Sequence, residues 1–518
     1  MSYPEYSKEK PNEIKIKINN SLYVNQIANP FLFWFLTIIL AIIILCGIIM
    51  SGDTMKRFIN REKERDFLKK EYQKEEASFV VIYGRRRIGK TELIKEFAKD
   101  KSALFFLATE ESEKENRNEF KKAVAEYINN PLLANANIND WEMLFKYIVE
   151  SEPDERKLII IDEFQYIAKS HPPFISTMQK IWDNILSDKN VMLILCGSLV
   201  NVMYTQTLSY DSPLYGRRTG QIKLKQIAFK HYNEFFDGLN ERQLIEAYAV
   251  TGGVPKYIES FEPYSSDIYD AIEKCVMSKE SYLYEEPNFL LEKEVQDVGS
   301  YFSIIKTIAS GKQKPSEIAA ALEIQSTNLP KYLKVLIDLD ILEREVPATE
   351  SKPEKSKMGL YKIKDNYIKF WFMFIYPYRA YIEMDNTDFV MDKIKKGFIP
   401  NHAAFVYEDV CRREYMNELV AKNTWDFAPT KIGRWWDRND KEIDVVAVDE
   451  NSDNIIFGEC KFTNKPVDVD VYYDLLEKKQ HVNWKNSTRT EHFVFFSFNG
   501  YTDKMTQLSK EHSNITLY

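Results

Sequence analysis

The stretch "SFVVIYGRRRIGKT", Ser78 to Thr91, decides the fold. Its first half is a short, apolar, β-branched run ending at Gly84, the pattern of a strand buried on both faces of a parallel sheet. Its second half reads G-x-x-x-x-G-K-T and opens a helix expected over Lys90–Lys99. Strand, glycine-rich loop and helix in that order make an anion nest. Backbone N–H groups of Gly84, Arg85, Arg86, Arg87, Ile88 and Gly89 line it, with the positive end of the helix behind them. Gly84 and Gly89 allow the tight turn. Lys90 is placed to reach the β- and γ-phosphates of ATP, and the Thr91 hydroxyl to bind Mg²⁺. The side chains of Arg85, Arg86 and Arg87 are not needed for this chemistry. They are expected to point away from the phosphates, available to a neighbouring subunit, an acidic lid or a nucleic acid.

A partner motif supports the nucleotide reading. "KLIIIDE" (Lys157–Glu163) and "VMLILCGS" (Val191–Ser198) are two further buried strands, separated by helical stretches, so a three-layer α/β sheet is expected. Apolar residues carry Asp162 to a strand end, where it would hold Mg²⁺ directly or through water. Glu163 would orient or deprotonate the attacking water. Ser198, at the next strand end, is positioned as a sensor of the γ-phosphate; a hydroxyl capping a turn is the competing reading. In "SPLYGRR", Arg217 or Arg218 would supply a transition-state arginine; a surface arginine is the competing reading.

Outward from this centre, 518 residues are too many for one compact core, and about three domains are expected. The apolar fraction of 44% and charged fraction of 29% fit a folded chain, and a net charge of −8 gives no support for a nucleic-acid coat. Cys46, Cys196, Cys275, Cys411 and Cys460 include no pair at metal-ligand spacing, which suits a reduced, cytoplasmic setting. Residues 1–30 read as a polar tail. Phe31–Met50, "FLFWFLTIILAIIILCGIIM", holds no charge over 20 residues, enough to cross a bilayer. Lys56, Arg57, Arg61, Lys63 and Arg65 follow it, which puts the large C-terminal part in the cytoplasm. The competing reading starts translation at Met55 and removes the span.

Residues 55–230 form the expected P-loop domain, led by a strand-like segment running into a helix over 56–75. Residues 231–300 read as a helical lid broken at "TGGVP" (Thr251–Pro255). Residues 301–366 read as a winged helix: three short helices, the polar loop Val346–Lys357, then the β-like "GLYKI". In the third helix Leu329, Tyr332, Leu333, Leu336 and Ile337 share a face, Thr327 is the expected N-cap and Pro330 falls in the first turn. Lys331 and Lys334 lie where groove contact with DNA would occur, although such modules also act as protein-contact lids.

Residues 55–518 resemble the archaeal-type ATPase family of P-loop NTPases, related to AAA+ and STAND proteins. The resemblance rests on "FINREKE" (Phe58–Glu64), "GRRRIGKT", "DEFQ" (Asp162–Gln165) and "GGVPKY" (Gly252–Tyr257), with a winged helix behind. It implies an ATP-driven switch in which Gly253 and Pro255 sit in a lid that senses nucleotide. It does not extend over residues 1–54.

Residues 367–518 are expected to hold a helix around Phe405–Leu419 and strands near Glu442–Val448, Ile455–Lys461 and His492–Phe498. In "EIDVVAVDENSDNIIFGECKF" (Glu442–Phe462), strand alternation puts Glu459 and Lys461 on one face, and a hairpin would bring Asp444 beside them. Two carboxylates and a lysine there suit a Mg²⁺-dependent phosphodiesterase. The D…E-x-K pattern resembles the PD-(D/E)xK nuclease superfamily, with Glu408 as an additional helix acid and a third metal-ligand candidate. Ile443 stands where that family often has proline, and a solvated hairpin with ordinary surface charges is the competing reading. The expected fold class is therefore α/β: a three-layer P-loop ATPase with helical lid, winged helix and restriction-endonuclease-like domain. The function expected is an ATPase controlling a nuclease-like domain that acts on DNA. The alternative is an ATP-driven regulatory or signalling switch that binds DNA or protein, with an inactive nuclease fold, with or without a membrane tether at residues 31–50. Self-association through the ATPase domain is the remaining partner expectation.

Overall fold

The apolar runs read from the sequence pair side by side in the computed structural model, which describes residues 58–152 and 154–518. The expected tail and membrane span lie outside the described residues. Strands β1 (Ser78–Tyr83), β2 (Ala103–Leu107), β3 (Lys157–Asp162), β4 (Val191–Gly197) and β5 (Gly220–Lys223) form a parallel sheet in the order β2-β3-β4-β1-β5. Every residue of β1, β3 and β4 is buried, as strands covered on both faces require. The sequence reading missed β2 and β5. Both are edge strands and partly exposed, so neither carries the continuous apolar run that marks an inner strand.

The strand-like lead expected near residue 58 is instead an irregular entry into helix α1 (Glu62–Tyr72), with Arg61 in the left-handed region at φ 78°. Helix α2 (Lys90–Ala98) follows the glycine-rich loop. The helical region after residue 231 is present and contains α3 (Pro255–Phe261) and α4 (Glu286–Glu294). The break before α3 has a steric cause. A Cβ on Gly253 would lie 1.8 Å from the Ile227 carbonyl oxygen, and the Ile227 N–H donates to the Gly253 carbonyl at 2.7 Å.

Helices α5 (Val298–Ala309), α6 (Pro315–Ala321) and α7 (Leu329–Asp338) precede an antiparallel hairpin of β6 (Leu342–Glu345) and β7 (Leu360–Ile363). Leu329, Leu333 and Leu336 bury one face of α7. Thr327 is not its N-cap: Asn328 precedes the helix and no side chain caps it. Pro330 in the first turn carries no N–H, which removes one of the donors a cap would satisfy. The loop after β6 lies against the last sheet, where the Ala348 N–H donates to the Arg434 carbonyl at 3.0 Å.

Helices α8 (Asn366–Phe370) and α9 (Ala404–Val410) lead to that sheet, formed by β8 (Lys431–Trp436), β9 (Glu442–Asp449), β10 (Asn454–Lys461), β11 (Thr490–Ser497) and β12 (Ile515–Leu517). The order is β12-β11-β10-β9-β8. The β8, β9 and β10 pairings are antiparallel; β10, β11 and β12 run parallel, with α10 (Val469–Lys478) crossing between β10 and β11. Strand alternation gives this sheet two apolar faces. Val445, Ala447, Ile456 and Val494 join the main core, while Val446, Val448, Phe457 and Phe493 form a second core with Leu475 of α10. Residues 59–518 pack as one compact unit, because the main core runs unbroken from Phe79 through Tyr257 and Tyr367 to Val445. Among the described residues no helix is long and apolar enough to cross a membrane.

Candidate functional site

The C-terminal ends of β1, β3 and β4 deliver the expected nucleotide residues to one place, as parallel α/β sheets do. Lys90 is buried at the start of α2, and its ammonium donates to the carbonyls of Gly84 at 2.8 Å and Arg85 at 3.0 Å. Burial pushes its pKa down, opposed by Cys196, Glu163 and Asp162. A bound triphosphate would supply the counter-charge this lysine lacks. The Thr91 hydroxyl donates to Asp162 Oδ2 at 2.7 Å. A hydroxyl and a carboxylate in contact beside a phosphate nest are the hard oxygen donors Mg²⁺ takes, so these residues fit that ion. Glu163 adopts a left-handed φ of 52°, which turns its carboxylate from the strand toward Ser198. Ser198 donates to Glu163 Oε2 at 2.8 Å, and Gln165 donates to the same oxygen. Lys90, Thr91, Glu163 and Ser198 line a cavity of about 720 Å³, with Gly89 on its floor and Pro255 of the lid in its wall. Arg217 does not line it; Arg217 pairs with Asp183 at 2.8 Å on the surface.

The three arginines have separate partners. Arg85 is buried and does not line the nucleotide cavity. It pairs with Asp365, and its other terminal nitrogen donates to the Tyr257 hydroxyl at 3.0 Å. Asp365 caps α8 by accepting from the Ile368 N–H at 2.8 Å and also accepts from Gln226 at 2.7 Å. Burial works against the Arg85 charge, but Asp365 outweighs it and holds its pKa above the ordinary value. The Tyr257 hydroxyl in turn donates a hydrogen bond to Glu286 of α4 at 2.6 Å, and Arg87 pairs with that same carboxylate while lying 4.3 Å from the Tyr282 ring. Arg86 reaches the Tyr166 hydroxyl, and both Arg86 and Arg87 edge the nucleotide cavity. The sequence reading left three partners open. For Arg85 and Arg87 the partner is the acidic lid, extended to the first turn of α8.

Two residues of this centre lack a signal in the P-loop pattern. Arg61, from "FINREKE", donates to the Ile88 carbonyl at 3.2 Å and the Lys225 carbonyl at 2.6 Å, pinning the loop from behind. Glu294 ends α4 and faces Lys90, Arg86 and Arg85; burial pushes its carboxyl up to about 7. Its Oε2 is buried without a hydrogen-bond partner. No spacing ties Glu294 to a loop two hundred positions upstream.

The C-terminal residues converge as the alternation rule requires. Val445 pairs with Gly458, so Asp444 and Glu459 meet one step further along, and Asp444 Oδ2 accepts from the Cys460 N–H at 3.0 Å. Lys461 donates to Glu459 Oε2 at 2.9 Å. Burial and the Glu459 carboxylate push Asp444 up to about 6, and burial and the Asp444 carboxylate push Glu408 up to about 8. Lys478 of α10, absent from the sequence reading, donates to Glu459 Oε1 at 2.6 Å. Among the described residues, no three His, Cys, Asp or Glu side chains form a group that could hold a metal ion. The physical reason is that both oxygens of buried Glu459 are already bound by lysines, and Glu408 leans toward Arg412 at 3.5 Å.

Residues 58–261 match a family model described as an ATPase domain predominantly from Archaea, and residues 371–480 match one described as Archaea bacterial proteins of unknown function. The uncharacterized protein MJECL04 of Methanocaldococcus jannaschii is 36% identical over 427 residues, 82% of this chain and 92% of that protein. The uncharacterized ATP-binding protein MJ0423 of the same organism is 46% identical over 44 residues, 8% of this chain and 75% of that protein. The Walker-type ATPase paby2304 of Pyrococcus abyssi aligns with a TM-score of 0.47 at 18% identity, over 61% of this chain and 96% of that one. On the motifs, the parallel sheet and a relative matched over most of both lengths, the chain belongs to the archaeal-type P-loop ATPase family.

Proposed function

We propose that the protein hydrolyses ATP with Mg²⁺ at the β1–α2 loop and uses the cycle to set the position of its lid and C-terminal half. The observation that carries this reading is the 2.7 Å contact between Asp162 and Thr91, a residue that lines the cavity together with Lys90. When bound, the ion would neutralise phosphate charge. The chain's own residues do the rest. The loop amides and Lys90 hold the phosphates, Glu163 accepts a proton from the attacking water or orients it, and Ser198 with Gln165 fixes that carboxylate. The lid enters through Pro255, and the Arg85–Asp365 and Arg87–Glu286 pairs carry loop movement to α8 and α4. Self-association belongs to the same proposal. No arginine of the chain's "SPLYGRR" segment lines the cavity, so one from a second copy would complete it. ATP turnover by the purified protein tests the reading; Lys90→Ala should abolish nucleotide binding, and unchanged binding would refute the site.

A second reading concerns the last sheet. Asp444, Glu459 and Lys461 share one sheet face, which favours a PD-(D/E)xK-like phosphodiesterase working on DNA beside a winged helix at 301–366. Lys331 and Lys334 are exposed on α7 and support DNA contact there, while the wing loop is already seated on β8. The two lysines on Glu459 favour the alternative, a switch with an inactive nuclease fold. Incubation with single- and double-stranded DNA and Mg²⁺ or Mn²⁺ separates them. Cleavage lost in Asp444→Ala while ATP turnover survives supports the enzyme; no cleavage under any condition supports the switch.

A further inference from the structure

A second cavity, of about 230 Å³, lies where β7, α8, α9 and β8 meet. Neither the phosphate loop nor Asp444, Glu459 and Lys461 line it, although Glu408, the additional helix acid of the nuclease-like pattern, does. Its charged lining is Lys362, Lys369, Arg412 and Arg434 against Glu408 and Asp409. The acids are already committed. Asp409 accepts from Lys362 at 2.9 Å and from Arg412, and Lys362 also reaches Glu345 at 2.6 Å and Glu343 at 3.2 Å. Glu408 faces Arg412 at 3.5 Å.

Two cations on the cavity wall are only partly matched. The Lys369 ammonium has no hydrogen bond or ion pair among the described residues; it rests 5.1 Å from the Phe405 ring. Burial pushes its pKa down; the Asp409 and Glu408 carboxylates oppose that shift without reversing it, and Lys362 adds to it. The Arg434 Nε is buried with no hydrogen-bond partner, and its ion-pair contact with Glu345 is at 3.6 Å. Arg434 is near enough to Lys369 to repel it. Like charges half-withdrawn from water at one cavity wall repel, and an anion between them would relieve that cost. Ile308 and Met373 also line the cavity and suit an uncharged body.

We propose that this cavity binds a phosphate monoester, with the phosphoryl group between Lys369 and Arg434 and the rest of the ligand against Ile308 and Met373. The forked guanidinium and the mobile ammonium match a tetrahedral dianion. The same chemistry is carried by a small sugar phosphate and by the 5′-phosphate of a nucleic-acid strand, and the test separates them.

The full chain is first saturated with ADP and Mg²⁺ so that the phosphate loop is occupied. Isothermal titration calorimetry then follows ribose 5-phosphate and a single-stranded tetranucleotide with and without its 5′-phosphate. Saturable binding of at least one phosphorylated probe is expected. Lys369→Met and Arg434→Gln should each weaken it at least tenfold, while Lys369→Arg stays within threefold of the parent. Unchanged ADP affinity in these variants shows that they remain folded. Binding of ribose 5-phosphate marks a small-molecule site; binding of the tetranucleotide alone, lost with its phosphate, marks a strand end. If neither phosphorylated probe binds, or if Lys369→Met and Arg434→Gln bind as tightly as the parent, the proposal is overturned.

Discussion

Arg85→Ala should separate the structural role of the arginine loop from its phosphate chemistry. The substitution removes a guanidinium that pairs with Asp365 inside the core and leaves that carboxylate 1% exposed. Breaking a buried pair from one side costs about 3–5 kcal/mol because the remaining charge is stranded. Asp365 keeps two donors, the Ile368 N–H at 2.8 Å and Gln226 at 2.7 Å, so the low end, about 3 kcal/mol, is expected. Adding Asp365→Asn removes the stranded charge and should recover roughly 1–2 kcal/mol, a non-additivity that identifies the pair itself. Urea denaturation followed by tryptophan fluorescence, without nucleotide, gives the four stabilities of the cycle. ADP affinity should stay within threefold, since Arg85 does not line the cavity. A cost below about 1 kcal/mol, or strictly additive single and double variants, would refute the argument.

Glu294 supplies a pH test. Its folded value is raised from 4.5 to about 7, so the folded chain holds this proton more tightly than the unfolded one. Its ionisation therefore destabilises the fold as pH rises from about 4.5 to 7, with the full penalty, about 3 kcal/mol, present above 7. Glu294→Gln should raise the urea midpoint at pH 8.5 and barely move it at pH 4.5; an equal shift at both would exclude the burial explanation. The double variant Lys461→Ala/Lys478→Ala strands the buried Glu459 and should cost about 3–5 kcal/mol, clearly more than either single change; a thermal melt that does not move rejects this. Gly253→Ala puts a methyl 1.8 Å from the Ile227 carbonyl oxygen and should lower the melting temperature sharply and weaken ADP binding through displaced Pro255. Wild-type melting and ADP affinity together would contradict the lid geometry.

What was legible in the sequence followed from rules local to a few residues. The inner strands β1, β3 and β4 are apolar throughout because both faces are covered, and the loop at Gly84–Thr91 is specified by the anion it must hold. The pairing of Asp444 with Glu459 and Lys461 followed from strand alternation and one hairpin. Edge strands β2, β5 and β8 were not legible, since half-exposed positions need no apolar run. The partners of Arg85 and Arg87 were not legible either. Asp365 and Glu286 are joined to the loop only by tertiary packing, 280 positions away for the first. Lys478 reaches Glu459 from a crossover helix whose orientation depends on the second core, and nothing in the D…E-x-K spacing points to it. The same long-range packing explains why segments that read as separate domains form one unit over residues 59–518.

The central claim is that Glu163 activates water at a site where Lys90, Thr91 and Asp162 hold Mg²⁺–ATP. The most direct measurement is single-turnover hydrolysis of radiolabelled ATP by the parent chain and by Glu163→Gln, with retained nucleotide identified on the protein. Glutamine keeps an oxygen for the 2.8 Å bond from Ser198 but cannot take a proton. The account predicts a loss of ~10²-fold or more in turnover, about the size of a general-base contribution, with intact ATP retained on the protein. Turnover at the parent rate, or failure of Glu163→Gln to bind ATP at all, would contradict it.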